Sequence, residues 1–385
     1  MNHQVHIQNP TPVWINARFL ERAVTGVERV GFELISALAA HNLDANGIWS
    51  DGSRSFQFKL VAPVGKTADS PWPNIALVRA GRFRGHAWEQ FDLPRLTRND
   101  WLINLCNTGP LFKRRQLMFL HDAQPFAIPQ NFSTSFGLWY RTLFKIAGHR
   151  AARVLVNSHF TKSELCTHAN LDATKMDVCH LGTEHVHRVE PANDVEQKFK
   201  LPDQKFVLAV SSANPNKNFS TVLSALEQLG DTAPPCVIVG HREQKHFDQV
   251  QLDPDRVHHL GYVTDAELLA LYQRALCLLF PSFYEGFGLP PLEAMAMGCP
   301  VIASCTGAMP EVCGDSVAYC NPQDPASLAN AIAGVQSCTS LRASMTSAGR
   351  DRSANFTWES AGRTVLDSLS CAVREQDPTL VPQAV

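Results

Sequence analysis

Nothing in this 385-residue sequence approaches the about twenty consecutive apolar residues that a membrane-spanning helix requires; the longest such run lies near Ala275 to Phe280. The opening MNHQVHIQNPTP lacks the charged-then-apolar order of a secretion signal, so the expected compartment is the cytoplasm. The eleven cysteines, spread from Cys106 to Cys371, include no C-x-x-C pair. An odd number at irregular spacing suits neither a disulfide framework nor a zinc site, and reduced buried thiols are expected. Net charge is equally scarce. Against 36 Asp+Glu there are 34 Lys+Arg, a formal -2, so no global basic excess points to nucleic acid and any anionic ligand must be held locally. The 22 Gly and 24 Pro are scattered without period and charged residues make up 18%, which excludes collagen-like, coiled-coil and disordered chains.

What remains is an ordinary globular composition, 45% hydrophobic, on a chain about two and a half single-domain lengths long. Short apolar runs alternate with helical patterns: VWINA, FKLVAPV, WLINL, QLMFLHD and ARVLVNS, then KFVLAVSS, CVIVG, HHLGYV, CLLFPS, PVIAS and VAYC. Such alternation predicts strand–helix units and two mainly parallel sheets. The polar stretch HVHRVEPANDVEQKFKLPDQ, with two prolines, separates the series. The expected division is therefore a first domain over 1–185, a linker over 186–204, a second domain over 205–355 and a C-terminal helix with a frayed tail over 356–385, the helix crossing back to the first domain. Open parallel sheets bind ligands beyond the carboxyl ends of their strands, which places the chemistry in strand-to-helix loops and a cleft between domains.

The most informative segment is CLLFPSFYEGFGLPPLEAMAMGCPVIAS, residues 277 to 304. It reads as strand, loop, helix opened by Pro290 and Pro291, stop at Gly298, strand. Gly286 and Gly288 flank Phe287 and let backbone amides approach a ligand closely, and a helix start adds free N–H groups and a positive dipole end. That suits an anion. Glu285 and Glu293, the latter placed in the first helical turn, would repel phosphate and instead accept hydrogen bonds from hydroxyls on either side of it, as a sugar presents.

Together these residues resemble the Glu-x7-Glu signature of retaining glycosyltransferases, specifically family 4 of the GT-B fold. The resemblance implies an α/β protein of two Rossmann-like doubly wound domains facing across a cleft, the first meeting the acceptor and the second the nucleotide-sugar donor. It implies that Glu285 contacts the donor sugar, that Glu293 holds the ribose, and that the amides of Phe287, Gly288 and Leu289 face the sugar and distal phosphate. VSSANPNKNFSTVLSAL is similar to the donor-phosphate loop, with Lys217 as the cation beside Asn216 and Asn218. Several relatives carry an arginine six residues before that lysine where this chain has Ser211; Arg242 in VIVGHRE is the candidate replacement. HHLGYVTDAELLALYQRA is similar to the stretch packed against the nucleotide base, through backbone near Tyr262 and Val263.

The first half resembles the family more loosely. In ARFLERAVTGVERVGFELISAL, Thr25-Gly26 stands for a common Gly-Gly pair, and Gly26 lets the loop approach donor phosphate or acceptor. In FLHDAQPFAIP, His121 takes the position of a cleft-facing histidine, with Asp122 fixing its ring. NSHFTKSEL is read as structural, and GHAWEQFDLP receives no chemical role. Independently of the family, no acid occurs between Asp122 and Glu164, and Arg141, Lys145 and His149 form a basic stripe on one helical face beside Trp139, Leu143 and Phe144. Such a stripe suits either an anionic membrane surface or the solvated side of a core helix.

The activity implied is transfer of a hexose, mannose from GDP-mannose ahead of UDP-sugars, to a hydroxyl of a glycan or lipid-linked acceptor in polysaccharide synthesis. The family's usual mechanism is a front-face displacement in which the leaving diphosphate helps deprotonate the acceptor. No cofactor beyond the donor and no metal is expected, since no Asp-x-Asp clamp occurs in a suitable loop. The rivals are a nucleotide-sugar epimerase of the same fold, a nicotinamide dehydrogenase, disfavoured by the lack of an early G-x-G-x-x-G, and a catalytically silent sugar-binding protein.

Overall fold

The computed structural model describes residues 9–40, 43–51, 54–65, 69–211, 214–240 and 256–376. The chain divides into two compact units, one formed by residues 1–181 with 358–385 and the other by residues 182–357.

In the first unit eight strands form one sheet among the described residues: β1 (Thr11–Asn16), β2 (Ile48–Ser50), β3 (Ser55–Ala62), β4 (Ala76–Arg79), β5 (Trp101–Asn104), β6 (Gln116–Leu120), β7 (Arg153–Val156) and β8 (Met176–Val178). The order is β2-β3-β1-β5-β6-β7-β8, with β4 also paired to β3; all pairs are parallel except β2 with β3. Central strands β5 and β6 are buried at every residue, which is why they read as unbroken apolar runs. The C-terminal helix Trp358–Gln376 belongs to this unit, where Gly362 lets it approach the helix Gly26–Ala40: a Cβ there would lie 3.2 Å from that of Ala37.

The second unit holds a six-stranded parallel sheet: β9 (Val207–Ser211), β10 (Cys236–Gly240), β11 (Val257–Gly261), β12 (Cys277–Phe280), β13 (Val301–Ser304) and β14 (Ala318–Cys320), ordered β11-β10-β9-β12-β13-β14. Its core joins Val207, Ala209, Ile238, Leu279 and Ile302 to the helix residues Val222, Leu328 and Ile332. Each buried Val, Leu or Ile side chain among them contributes about 1.5–3 kcal/mol. Residues 186–204 are not a free linker. They contain the helix Val195–Phe199, Val195 is buried, and Ala192 N donates to Ala266 O.

The eleven cysteines are all free, and burial pushes the thiols of Cys236, Cys299 and Cys320 up to about 12, so they pack as small apolar groups. Among the described residues no helix is long and apolar enough to cross a membrane.

Candidate functional site

Strand order in the second sheet reverses between β9 and β12, and there the loops leaving their carboxyl ends diverge. That placement brings together two loops separated by sixty-eight positions. Lys217 Nζ lies 2.8 Å from Glu285 Oε1, with the ammonium also over the Phe280 ring at 4.8 Å. The Glu285 side chain is 11% exposed and that of Lys217 20%, so the pair is largely withdrawn from water yet reachable.

The neighbouring asparagines serve the scaffold. Asn216 Nδ2 donates to Tyr284 O, Phe283 N returns a bond to Asn216 O at 3.0 Å, and Asn218, at φ 58°, donates to Pro281 O (2.9 Å) and Pro322 O (2.7 Å). These bonds lock the cation loop onto the Glu285 loop before any ligand arrives, the preorganisation an electrostatic site requires. Gly307, at φ 66°, completes the seat: a Cβ there would sit 2.9 Å from both the N and the O of Glu285, so only glycine allows this approach.

Gly288, at φ 96°, turns the chain into the helix Leu289–Ala296, whose first-turn prolines carry no N–H, and among the described residues no side chain caps this helix start. Gly286, Phe287 and Leu289 are buried around that turn. Because the helix starts at Leu289, Glu293 is its fifth residue and lies beyond the first turn expected from sequence. It does not complement the helix dipole. Its carboxylate is held instead by His185 Nε2 at 2.9 Å on Oε1 and Tyr272 Oη at 3.3 Å on Oε2, all three groups being buried. Phe287 packs edge-on against Phe356 at 5.9 Å. His185 and Tyr272 carried no spacing signal that could have marked them.

At the end of β11, Gly261 takes φ 70°; beyond it Tyr262 is 83% exposed and Val263 is buried. Ser211 closes β9, and Arg242 lies outside the described residues.

In the first unit the corresponding reversal falls between β1 and β5. Gly26 opens the helix Gly26–Ala40, and a Cβ on it would meet nothing within 4 Å among the described residues. The turn before it is tied by Thr25 Oγ1, which donates to Glu28, and by Arg22 Nη1 at 3.5 Å from Glu28 Oε1. His121, at the end of β6, is stacked on Phe119 and bonds through Nε2 to Leu105 O at 2.7 Å; Asp122 Oδ1 accepts from Gln124 N. Burial lowers the His121 pKa to about 4, so the ring is neutral at pH 7. With Nε2–H given to Leu105, Nδ1 remains as an acceptor.

GHAWEQFDLP, given no chemical role from sequence, supplies the centre of a buried network at this edge. Glu89 is fully buried in the π-helical turn Trp88–Asp92, 2.9 Å from Arg18 Nε, 2.6 Å from Thr108 Oγ1, 3.2 Å from His86 Nδ1 and 3.2 Å from Asn16 Nδ2. Burial alone would raise its carboxyl; the His86 bond, the Arg18 guanidinium and the Thr108 hydroxyl outweigh that and hold it below the usual range. Of the basic stripe, Lys145 and His149 are exposed and Arg141 half-buried on the helix Thr134–Arg150, whose Leu143 and Phe144 enter the core.

With this geometry in place, the comparisons with known proteins are specific. The family model described as "Glycosyl transferases group 1" matches residues 192–352. The chain is 30% identical over 368 residues to O-antigen chain mannosyltransferase B of Escherichia coli, an alignment covering 90% of this chain and 96% of that one. It is 30% identical over 234 residues to O-antigen chain mannosyltransferase RfbU of Salmonella typhimurium, covering 60% of this chain and 63% of the relative's length. Among solved structures, sucrose-phosphate synthase from Thermosynechococcus elongatus superposes with a TM-score of 0.72 at 20% identity, over 95% of this chain and 100% of that one.

Proposed function

Because the chain belongs to the group 1 glycosyl transferases, proteins of GT-B fold, we propose that it transfers a hexose from a nucleotide diphosphate sugar to an acceptor hydroxyl, with mannose from GDP-mannose as the donor and a growing surface polysaccharide as the acceptor. The observation that carries this reading is the Lys217–Glu285 pair at the switch point, seated against the Gly286–Leu289 turn.

On this reading the ammonium exchanges its carboxylate partner for the donor diphosphate, where it offsets the charge growing on the leaving group, and the amides of Phe287, Gly288 and Leu289 share that charge. Glu285, released, accepts a hydroxyl of the sugar, and Glu293 accepts from the ribose. Neutral His121 contributes an acceptor nitrogen and no proton. The bond from the anomeric carbon to the β-phosphate oxygen breaks as the acceptor oxygen bonds on the same face; the acceptor's proton passes to the leaving diphosphate, and configuration is retained. No metal is needed for these steps. The backbone at Tyr262 and Val263 would pack against the base, and Arg141, Lys145 and His149 would bring the enzyme to a membrane carrying a lipid-linked acceptor.

The test is incubation of the full chain with GDP-mannose or a UDP-hexose, with and without acceptor glycans, following sugar transfer by mass spectrometry and anomeric configuration by NMR. Transfer or slow hydrolysis of GDP-mannose supports the proposal. An epimerised free donor, or binding with no turnover of any donor, contradicts it.

A further inference from the structure

The carboxyl edge of the first unit's sheet carries Gly26, His121 and the Glu89 network. The opposite edge carries a different chemistry. Arg98 precedes β5, the run Lys113-Arg114-Arg115 precedes β6 and Arg150 precedes β7, three adjacent parallel strands, so all five cations fall at the amino ends. Between Asp100 and Glu164 the only acid is Asp122, which sits at the other edge.

Four of these cations line one cavity of about 350 Å³, with Pro94 and Phe112 on its apolar side. Its wall is built. Gln116 Nε2 donates to Pro110 O (2.9 Å) and Lys113 O (2.8 Å), and Gln90 takes Leu111 N (3.0 Å) while donating to Gly109 O (2.9 Å). The turn that presents the basic run is therefore fixed. Lys113 is 9% exposed and its Nζ donates to Thr97 O at 2.5 Å, without a carboxylate at salt-bridge distance; Arg98 and Arg114 are exposed and likewise unpaired among the described residues. Burial pulls Lys113 down to about 8, against the attraction of Asp100, whose Oδ2 accepts from Trp14 Nε1. An anion in the cavity would offset that cost. Beside it Phe112 is 67% exposed, with the Arg150 guanidinium 5.3 Å over its ring. That contact joins the cavity to the end of the helix bearing Lys145 and His149.

We propose that this amino edge is a docking site for the phosphate headgroup of an anionic bilayer lipid, the phosphate held by Arg98, Lys113, Arg114 and Arg115 and Phe112 entering the interfacial region. Converging cations alone suit any phosphate; a large aromatic left in water beside them, under a guanidinium, suits one attached to acyl chains. The site lies at the edge opposite the reaction loops, and it deepens the membrane part of the proposed function without needing the transfer reaction.

The experiment is flotation of the full chain, without donor, with phosphatidylcholine vesicles and with vesicles in which a third of the lipid is phosphatidylglycerol. The expected result is salt-sensitive binding to the anionic vesicles only. The double variant Arg98→Gln/Arg114→Gln should bind about thirtyfold more weakly, at about 1 kcal/mol for each removed cation, and Phe112→Ser should also bind more weakly. Melting temperatures should be unchanged, because neither arginine side chain makes a described bond, and the Arg114 carbonyl that accepts from Gln116 N is kept in the variant. Equal binding to both vesicle types, no binding, or wild-type affinity in the double variant overturns the proposal. So does a thermal shift by inorganic diphosphate that the double variant abolishes while vesicles do not bind, which would mark a site for a soluble anion. With donor absent, either failure leaves the transfer reading to its own assay.

Discussion

His185 Nε2 and Glu293 Oε1 are 2.9 Å apart in a buried setting, and Tyr272 holds the second carboxylate oxygen. The carboxylate proposed to receive the ribose is thus aimed by a residue only three positions past Gly182, where the second unit begins. Replacing His185 by Phe should raise KM for the donor about tenfold or more, the cost of a lost hydrogen bond to a charged group, with a smaller change in kcat. His185→Gln should recover part of the loss. Equal KM values in wild type and His185→Phe would remove His185 from the site.

The direct Lys217–Glu285 contact makes a non-additive prediction. Each of Lys217→Ala and Glu285→Ala should lower kcat/KM about a hundredfold or more. Because each deletion leaves the other partner alone, the double variant should lose far less than the product of the two. Kinetics of the four proteins decide it, and strictly multiplicative losses would show that the two act separately.

Gly26 offers a cleaner probe of ligand approach. A Cβ there meets nothing within 4 Å among the described residues, so Gly26→Ala should fold with an unchanged or slightly higher melting temperature. If the open space receives phosphate or acceptor, transfer should nonetheless fall. Unaltered transfer kinetics would mean that the loop stays clear of both substrates.

His121 gives the stability a pH signature. Its pKa is about 4 when folded against 6.5 for an ordinary histidine, so between these values the unfolded chain binds more protons and stability must fall as pH drops from about 6.5 to 4. The full loss is about 3 kcal/mol, from about 1.4 kcal/mol per unit. Urea unfolding across this range should show that slope for the wild type and a flatter one for His121→Gln. Parallel pH profiles would contradict a neutral, buried imidazole.

The strands that form the middle of both sheets were legible because burial on two faces demands continuous apolar runs. Strands β2, β4 and β8 were not, being three or four residues long and half-exposed, with too little pattern to stand out. The Glu285–Glu293 segment was legible for a related reason: glycine and proline punctuate it where the backbone has no alternative. Glu293's helical position was misjudged by one residue, enough to move it past the first turn, because Pro290 and Pro291 fix where a helix is permitted without fixing its first residue. His185, Tyr272, Gly307 and the Glu89 network depend on contacts between distant segments, and no local spacing announces such partners.

The most direct test of the central claim is a crystal structure of the full chain with an intact nucleotide diphosphate sugar. The expected density places the diphosphate within hydrogen-bond distance of Lys217 Nζ and the Phe287–Leu289 amides, the sugar on Glu285 and the ribose on Glu293. A donor bound elsewhere, with Lys217 and Glu285 still joined to each other, would contradict it.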